Sequence, residues 1–131
     1  MTTNIAFPRS CTGITYDYDG VTYNFNKAVV DAYDETISAL SGKGMTVTVI
    51  LLNDWNPNTP DLIYPGTQKN SNAFYYMFNA QTENGFEQTK AIASFLADHY
   101  SGKNPNYGKV SNWIIGNEIN NQQWNYMGQR T

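Results

Sequence analysis

The sequence predicts an α/β domain with parallel strands, on three observations. Two short apolar runs rich in β-branched residues, Met45 to Leu52 and Val110 to Gly116, carry no charge, the pattern of strands buried on both faces of a parallel sheet. Each follows a stretch whose apolar residues recur at helical spacing and which gives way to glycine. Each run also ends abruptly in polar residues, Asn53-Asp54 and Asn117-Glu118, as strands do where a ligand-binding rim begins.

Taken in order, Tyr16 to Tyr23 alternates aromatic and polar residues around Asp19-Gly20, a dipeptide that tolerates the positive φ of a two-residue hairpin turn. Asn26 can cap a helix whose apolar stripe is Val29, Val30, Tyr33, Ile37 and Leu40, closed by Gly42 and Gly44. The Met45 to Leu52 strand follows. From Asn53 to Glu83 three prolines and many amides break any periodicity, so a long loop is expected, with one short element at Ala73 to Phe78. Asn84 with Glu87 reads as a capping box for a second helix, whose core stripe is Ile92, Phe95, Leu96, His99 and Tyr100 and which stops at Ser101-Gly102. The right-handed crossover rule then sets the two strands parallel, with Asn53, Asp54 and Trp55 sharing a rim with Asn117, Glu118 and Asn120. The domain division that results is an N-terminal segment and hairpin over 1–25 and helix-strand units over 26–131.

Composition narrows the ligands. Net charge is −3 and charged residues make up 15% of the 131-residue chain, against roughly 25% in average domains, which argues against nucleic acid or an anionic membrane as partner. Seventeen Asn, ten Tyr and three Trp suit neutral polyhydroxylated ligands, since amides bond hydroxyls and aromatic faces stack on sugar rings. The bland alternative is a loop-rich surface, because Asn favours turns. A lone Cys11 and a lone His99, the latter late in a helix, support neither Cys-His catalysis nor a His/Cys metal site, so no cofactor and no metal are expected. No apolar run is long enough to span a bilayer, and Met1 to Ser10 lacks the apolar core of a secretory signal, so any export signal lies outside this chain.

Trp113-Ile114-Ile115-Gly116-Asn117-Glu118, followed by Asn120 and by Trp124-Asn125-Tyr126, resembles the fourth-strand motif of retaining glycoside hydrolases built on a (β/α)8 barrel. The resemblance is closest to a sparsely characterised bacterial family of such glycosidases with an upstream strand ending Leu-Leu-Asn, here Leu51-Leu52-Asn53, and it covers the chain from about Tyr16 onward. It implies that the chain forms roughly the first half of a barrel. Glu118 would then be the general acid/base and Asn117 the holder of a sugar 2-hydroxyl, while the nucleophile lies on a later strand outside this chain. It also implies that the isolated chain is inactive and self-associates through exposed barrel edges.

Each candidate has a plainer role beside it. Glu118 can simply end a strand by bonding a backbone amide. Asp54 is either a partner carboxylate for an inverting pair or the start of the loop, where it bonds substrate hydroxyls. Trp55, Trp124 and Tyr126 are sugar platforms or lids packed on the rim, whereas Trp113, inside the strand, belongs to the core. A non-catalytic carbohydrate-binding module would use the same aromatics and amides, Asn53 and Asn120 included, without Glu118. A nucleotide-binding sheet would need a Gly-rich turn after a strand, and neither strand has one.

Overall fold

Helix formation begins where the side chain of Asn26 accepts the amide of Val29 at 3.3 Å, satisfying one of the donors a helix start leaves open. A computed structural model of the protein describes residues 1–7, 13–121, 123 and 125–128. Its elements are strands β1 (Gly13–Tyr18) and β2 (Val21–Asn26), helix α1 (Lys27–Gly42), strand β3 (Thr48–Leu51), helix α2 (Glu83–His99) and strand β4 (Asn112–Ile115). The β1–β2 hairpin is antiparallel and turns through Asp19 at φ 49° and Gly20 at φ 76°, the paired positive φ that the Asp-Gly dipeptide predicts.

Strands β3 and β4 pair in parallel, with Thr48 opposite Asn112 and Leu51 opposite Ile115. The expected half of a (β/α)8 barrel is not formed. The described residues make two separate two-stranded sheets, one antiparallel and one parallel, in a small mixed α/β domain with no barrel-like set of parallel strands. The other edge of β3 is occupied by the N-terminus: Leu52 N–H donates to the Met1 carbonyl at 3.0 Å and Thr3 N–H donates to the Leu52 carbonyl at 3.0 Å. Both strands are also shorter than their apolar runs and buried at most on one face, and there only in part, since Ile115 opposite Leu51 is 50% exposed. Leu51 is buried and Val49 and Trp113 pack on the core, while Ile50 and Ile114 on the opposite face are 38% and 46% exposed. An apolar run gives the same signal whether one face or two are covered, so the expectation of double burial overshot.

The core lies between the hairpin, the two helices and the inner face of β3 and β4. Phe25 of β2 stacks on Phe95 of α2 with ring centroids 3.8 Å apart, and Tyr16 bonds Ser94 through its hydroxyl at 2.6 Å. The helices are joined by a buried polar contact, His99 Nε2 to Asp34 Oδ1 at 2.8 Å, with the Tyr107 ring stacked on the imidazole. His99 is therefore a bolt between helices rather than one more apolar contact. Val30 and Ile37 are buried on α1 as its spacing predicts, but Leu40 is 38% exposed. Helix α2 starts two residues earlier than expected from Asn84: Thr82 is the cap, its hydroxyl accepting from Gly85 N–H at 3.2 Å. Asn79 in turn accepts from the Gln81 and Thr82 amides, holding Thr82 in the extended conformation a cap needs. Glu87 is free of capping and pairs instead with Lys90 on the surface.

Candidate functional site

Both apolar runs do end on one edge. Three residues beyond the paired Leu51 and Ile115 stand Asp54 and Glu118, one on each chain segment leaving the sheet. After β4 the backbone turns sharply, with Gly116 at φ 77° and Glu118 at φ 47°. A non-glycine residue in the left-handed region carries a strain of order 1–2 kcal/mol, kept only where its surroundings hold it. Here they do. The Glu118 carbonyl accepts from Asn121 N–H at 2.7 Å, and one carboxylate oxygen, Oε2, accepts from Asn121 Nδ2 at 2.9 Å. Asn125, itself buried, donates its side-chain amide to the Asn117 carbonyl and its backbone N–H to the Asn121 carbonyl.

Glu118 and Asn120 are exposed and Asn117 is half-buried, and the Asn117 and Asn120 side-chain amides make no hydrogen bond to a described residue. These amides can meet a ligand. Asn53 cannot serve in the same way. It is 1% exposed, its Oδ1 accepts from the Thr3 hydroxyl at 3.0 Å, and its Nδ2 donates to the carbonyls of Leu62 at 2.9 Å and Met77 at 3.3 Å. Its expected contact with substrate gives way to a structural task, tying the N-terminus to the long loop. Asp54 N–H donates to the same Thr3 hydroxyl at 2.9 Å, and its half-buried side chain stays at the rim.

The long loop folds back on this rim. Tyr76 N–H donates to the Asn53 carbonyl at 2.9 Å, and Tyr126 is bonded on both sides, its N–H to the Tyr75 carbonyl and its carbonyl to Met77 N–H. Trp55, Tyr76 and Tyr126 form a row, with centroids 5.1 Å apart from Trp55 to Tyr76 and 5.9 Å from Tyr76 to Tyr126. The short element expected at Ala73 to Phe78 is represented only by isolated bridges, Ile63 to Phe78 and Tyr76 to Tyr126. Beside Trp55 lies a cleft of about 370 Å³ lined by Pro57, Pro60, Ile63, Tyr64 and Thr67. Trp124, expected as a closing platform, and Cys11 lie outside the described residues. Trp113 packs against the core beside Tyr100, 6.2 Å between ring centroids.

The chain belongs to DUF5722, a family of unknown function whose model matches residues 1–131. No curated protein matches it, and no solved structure does. The family description assigns no activity, so the chemistry rests on the geometry of the rim.

Sequence reasoning missed three residues that build this site. Asn121 and Asn125 fix the Glu118 turn, and their four-residue spacing within an amide-rich run was the available signal. Tyr76 ties the loop to Asn53, a contact between segments far apart in sequence that no local pattern announces.

Proposed function

We propose that the chain is part of a glycoside hydrolase in which Glu118 is the general acid/base. The observation that supports this best is local: a carboxylate at the carboxyl end of a parallel strand, in a left-handed backbone conformation, with one oxygen oriented by Asn121 and the residue open to ligand. It does not depend on a barrel. In the first step Glu118 would give its proton to the glycosidic oxygen as the bond to the anomeric carbon breaks. In the second it would take a proton from the incoming water. Asn117, with a side-chain amide free among the described residues, would hold a sugar hydroxyl beside it, and Asp54 and Asn120 offer further contacts. A retaining mechanism would also need a nucleophilic carboxylate on the opposite face of the sugar.

A non-catalytic carbohydrate-binding role is the second reading, favoured by the aromatic cleft beside Trp55, which needs no carboxylate. Hydrolysis of phenyl and alkyl glycosides, whose poor leaving groups need a proton donor, separates the two. Turnover that falls at least a hundredfold in Glu118→Gln supports the catalytic reading. Sugar binding without turnover, unchanged by Glu118→Gln, supports the binding module.

A further inference from the structure

We propose that two copies of this chain associate through the outer edge of β4, which pairs antiparallel with itself about a two-fold axis at Ile114. The pairing does not rest on glycosidase chemistry. Its first ground is the edge that the fold leaves open. Asn112 and Gly116 donate their N–H groups to the Val47 and Leu51 carbonyls at 3.2 and 2.8 Å, so residues 112, 114 and 116 turn their backbone groups toward β3. Those of Trp113 and Ile115 face the other way, and no described residue bonds them. The far edge of β3 is treated differently, since Met1 and Thr3 close it.

An open strand edge recruits another strand unless charge or proline blocks it, and β4, Asn-Trp-Ile-Ile, carries neither. Its side chains are also uncovered. Ile114 is 46% exposed beside Ile50 at 38% on the outer face, and Ile115 is 50% exposed on the inner one. An apolar strip that runs along unbonded backbone groups marks a contact surface.

Two features select a second copy of this strand over an unrelated one. The outward backbone groups lie symmetrically about Ile114. With Ile114 opposite Ile114 of the second copy, Trp113 opposes Ile115, and every outward N–H meets an outward carbonyl. Trp113 then covers the exposed Ile115 of the second copy on one face. On the other, the two Ile114 side chains meet at a non-hydrogen-bonded position, with Cβ atoms roughly 4.5–5.5 Å apart. The second feature is charge. Lys109 lies three residues before the strand and Glu118 three residues after it; both are exposed, and neither forms an ion pair among the described residues. An antiparallel partner brings the Lys109 end of one copy alongside the Glu118 end of the other, whereas a parallel partner would set like charges together. The axis uses up the edge, so assembly stops at two copies.

The test is sedimentation velocity of the whole chain from about 1 to about 300 μM, a range suited to a small, transient interface. The expected result is a reversible monomer–dimer equilibrium. Ile114→Lys sets two ammonium groups face to face at the axis and should weaken dimerisation about tenfold or more, with the melting temperature unchanged because Ile114 is already half in water. The register is read by cross-linking in a Cys11→Ser background. Ile114→Cys should form a disulfide-linked dimer on mild oxidation, whereas Asn112→Cys should not, because the register separates the two 112 positions by roughly 13 Å along the strands. A monomer at every concentration, the outcome if a strand of another protein fills this edge, would overturn the pairing. So would a dimer that tolerates Ile114→Lys, cross-linking at 112 and not at 114, or growth beyond the dimer, each of which puts the contact elsewhere.

Discussion

Replacing Asn53 by alanine should unfold this protein more readily than removing any other single amide. The side chain makes three hydrogen bonds in a site 1% exposed: to Thr3 Oγ1, to the Leu62 carbonyl and to the Met77 carbonyl. A buried hydrogen bond contributes roughly 1 kcal/mol net, so the three sum to about 3 kcal/mol, with a further small term for the cavity. Two partners keep other bonds, the Leu62 carbonyl from Asn79 N–H and the Thr3 hydroxyl from Asp54 N–H, which holds the cost near that figure rather than above it. For a chain of this length that is a fall of about 10 °C in melting temperature. Asn53→Asp should cost at least as much, because one carboxylate oxygen would face two carbonyl oxygens in place of the donor NH2. Urea and thermal unfolding followed by circular dichroism measure both. Variants within about 0.5 kcal/mol of the parent, with sugar binding lost instead, would refute the structural role and return Asn53 to the substrate.

Other substitutions probe other parts of the structure. Burial, helped by the neighbouring Asp34 carboxylate, pushes the Tyr100 phenol far above its ordinary value of 10.0, so above pH 10 the unfolded chain loses a proton that the folded one keeps. Stability should therefore be complete below pH 10 and fall above it by up to about 1.4 kcal/mol per pH unit from this group. Tyr100→Phe, which deletes a hydroxyl with no well-formed hydrogen bond among the described residues, should leave stability at pH 7 within about 1 kcal/mol and flatten that alkaline fall, as read from urea melts between pH 7 and 11. Gly108 has φ 82°, and a Cβ there would sit 2.5 Å from Ser38 N and 2.7 Å from the Ile37 carbonyl carbon in α1. Gly108→Ala should cost about 3 kcal/mol or more, whereas Gly44→Ala, at φ 77° with open space around it, should cost about 1 kcal/mol; equal melting temperatures for the two would contradict the close packing of the 108 turn on α1. Glu118→Gly removes left-handed strain along with the Asn121 contact, so its melting temperature should stay near the parent's while any glycosidase turnover disappears.

Local signals were legible in the sequence and long-range ones were not. The Asp19-Gly20 turn and the Asn26 cap depend on residues within four positions of each other, and both form. The polar ends of the two apolar runs also meet at one edge. The barrel expectation rests on the alternation of helix and strand signals and on the motif that ends β4, and neither of these counts the strands beside it. Nothing near Met1 reveals that Met1 and Thr3 hydrogen-bond along the open edge of β3, or that Asn53 would be consumed in holding them. Asp34 and His99 are 65 positions apart, and only the packing of α1 on α2 makes them partners. The capping-box pattern at Asn84 lost to Thr82 because Asn79 orients that threonine, a second contact that the four-residue pattern does not include.

Glu118 as proton donor makes one sharp kinetic prediction. A general acid matters most when the leaving group is a poor one, so Glu118→Gln should keep much of the parent's rate on dinitrophenyl glycosides and lose at least a hundredfold on the corresponding phenyl or alkyl glycosides. The measurement is kcat/KM for parent and variant across a series of aryl glycosides of graded leaving-group pKa. A steep new dependence on leaving group in the variant is the result expected. An equal loss on every substrate, or no loss on any, would contradict proton donation by Glu118.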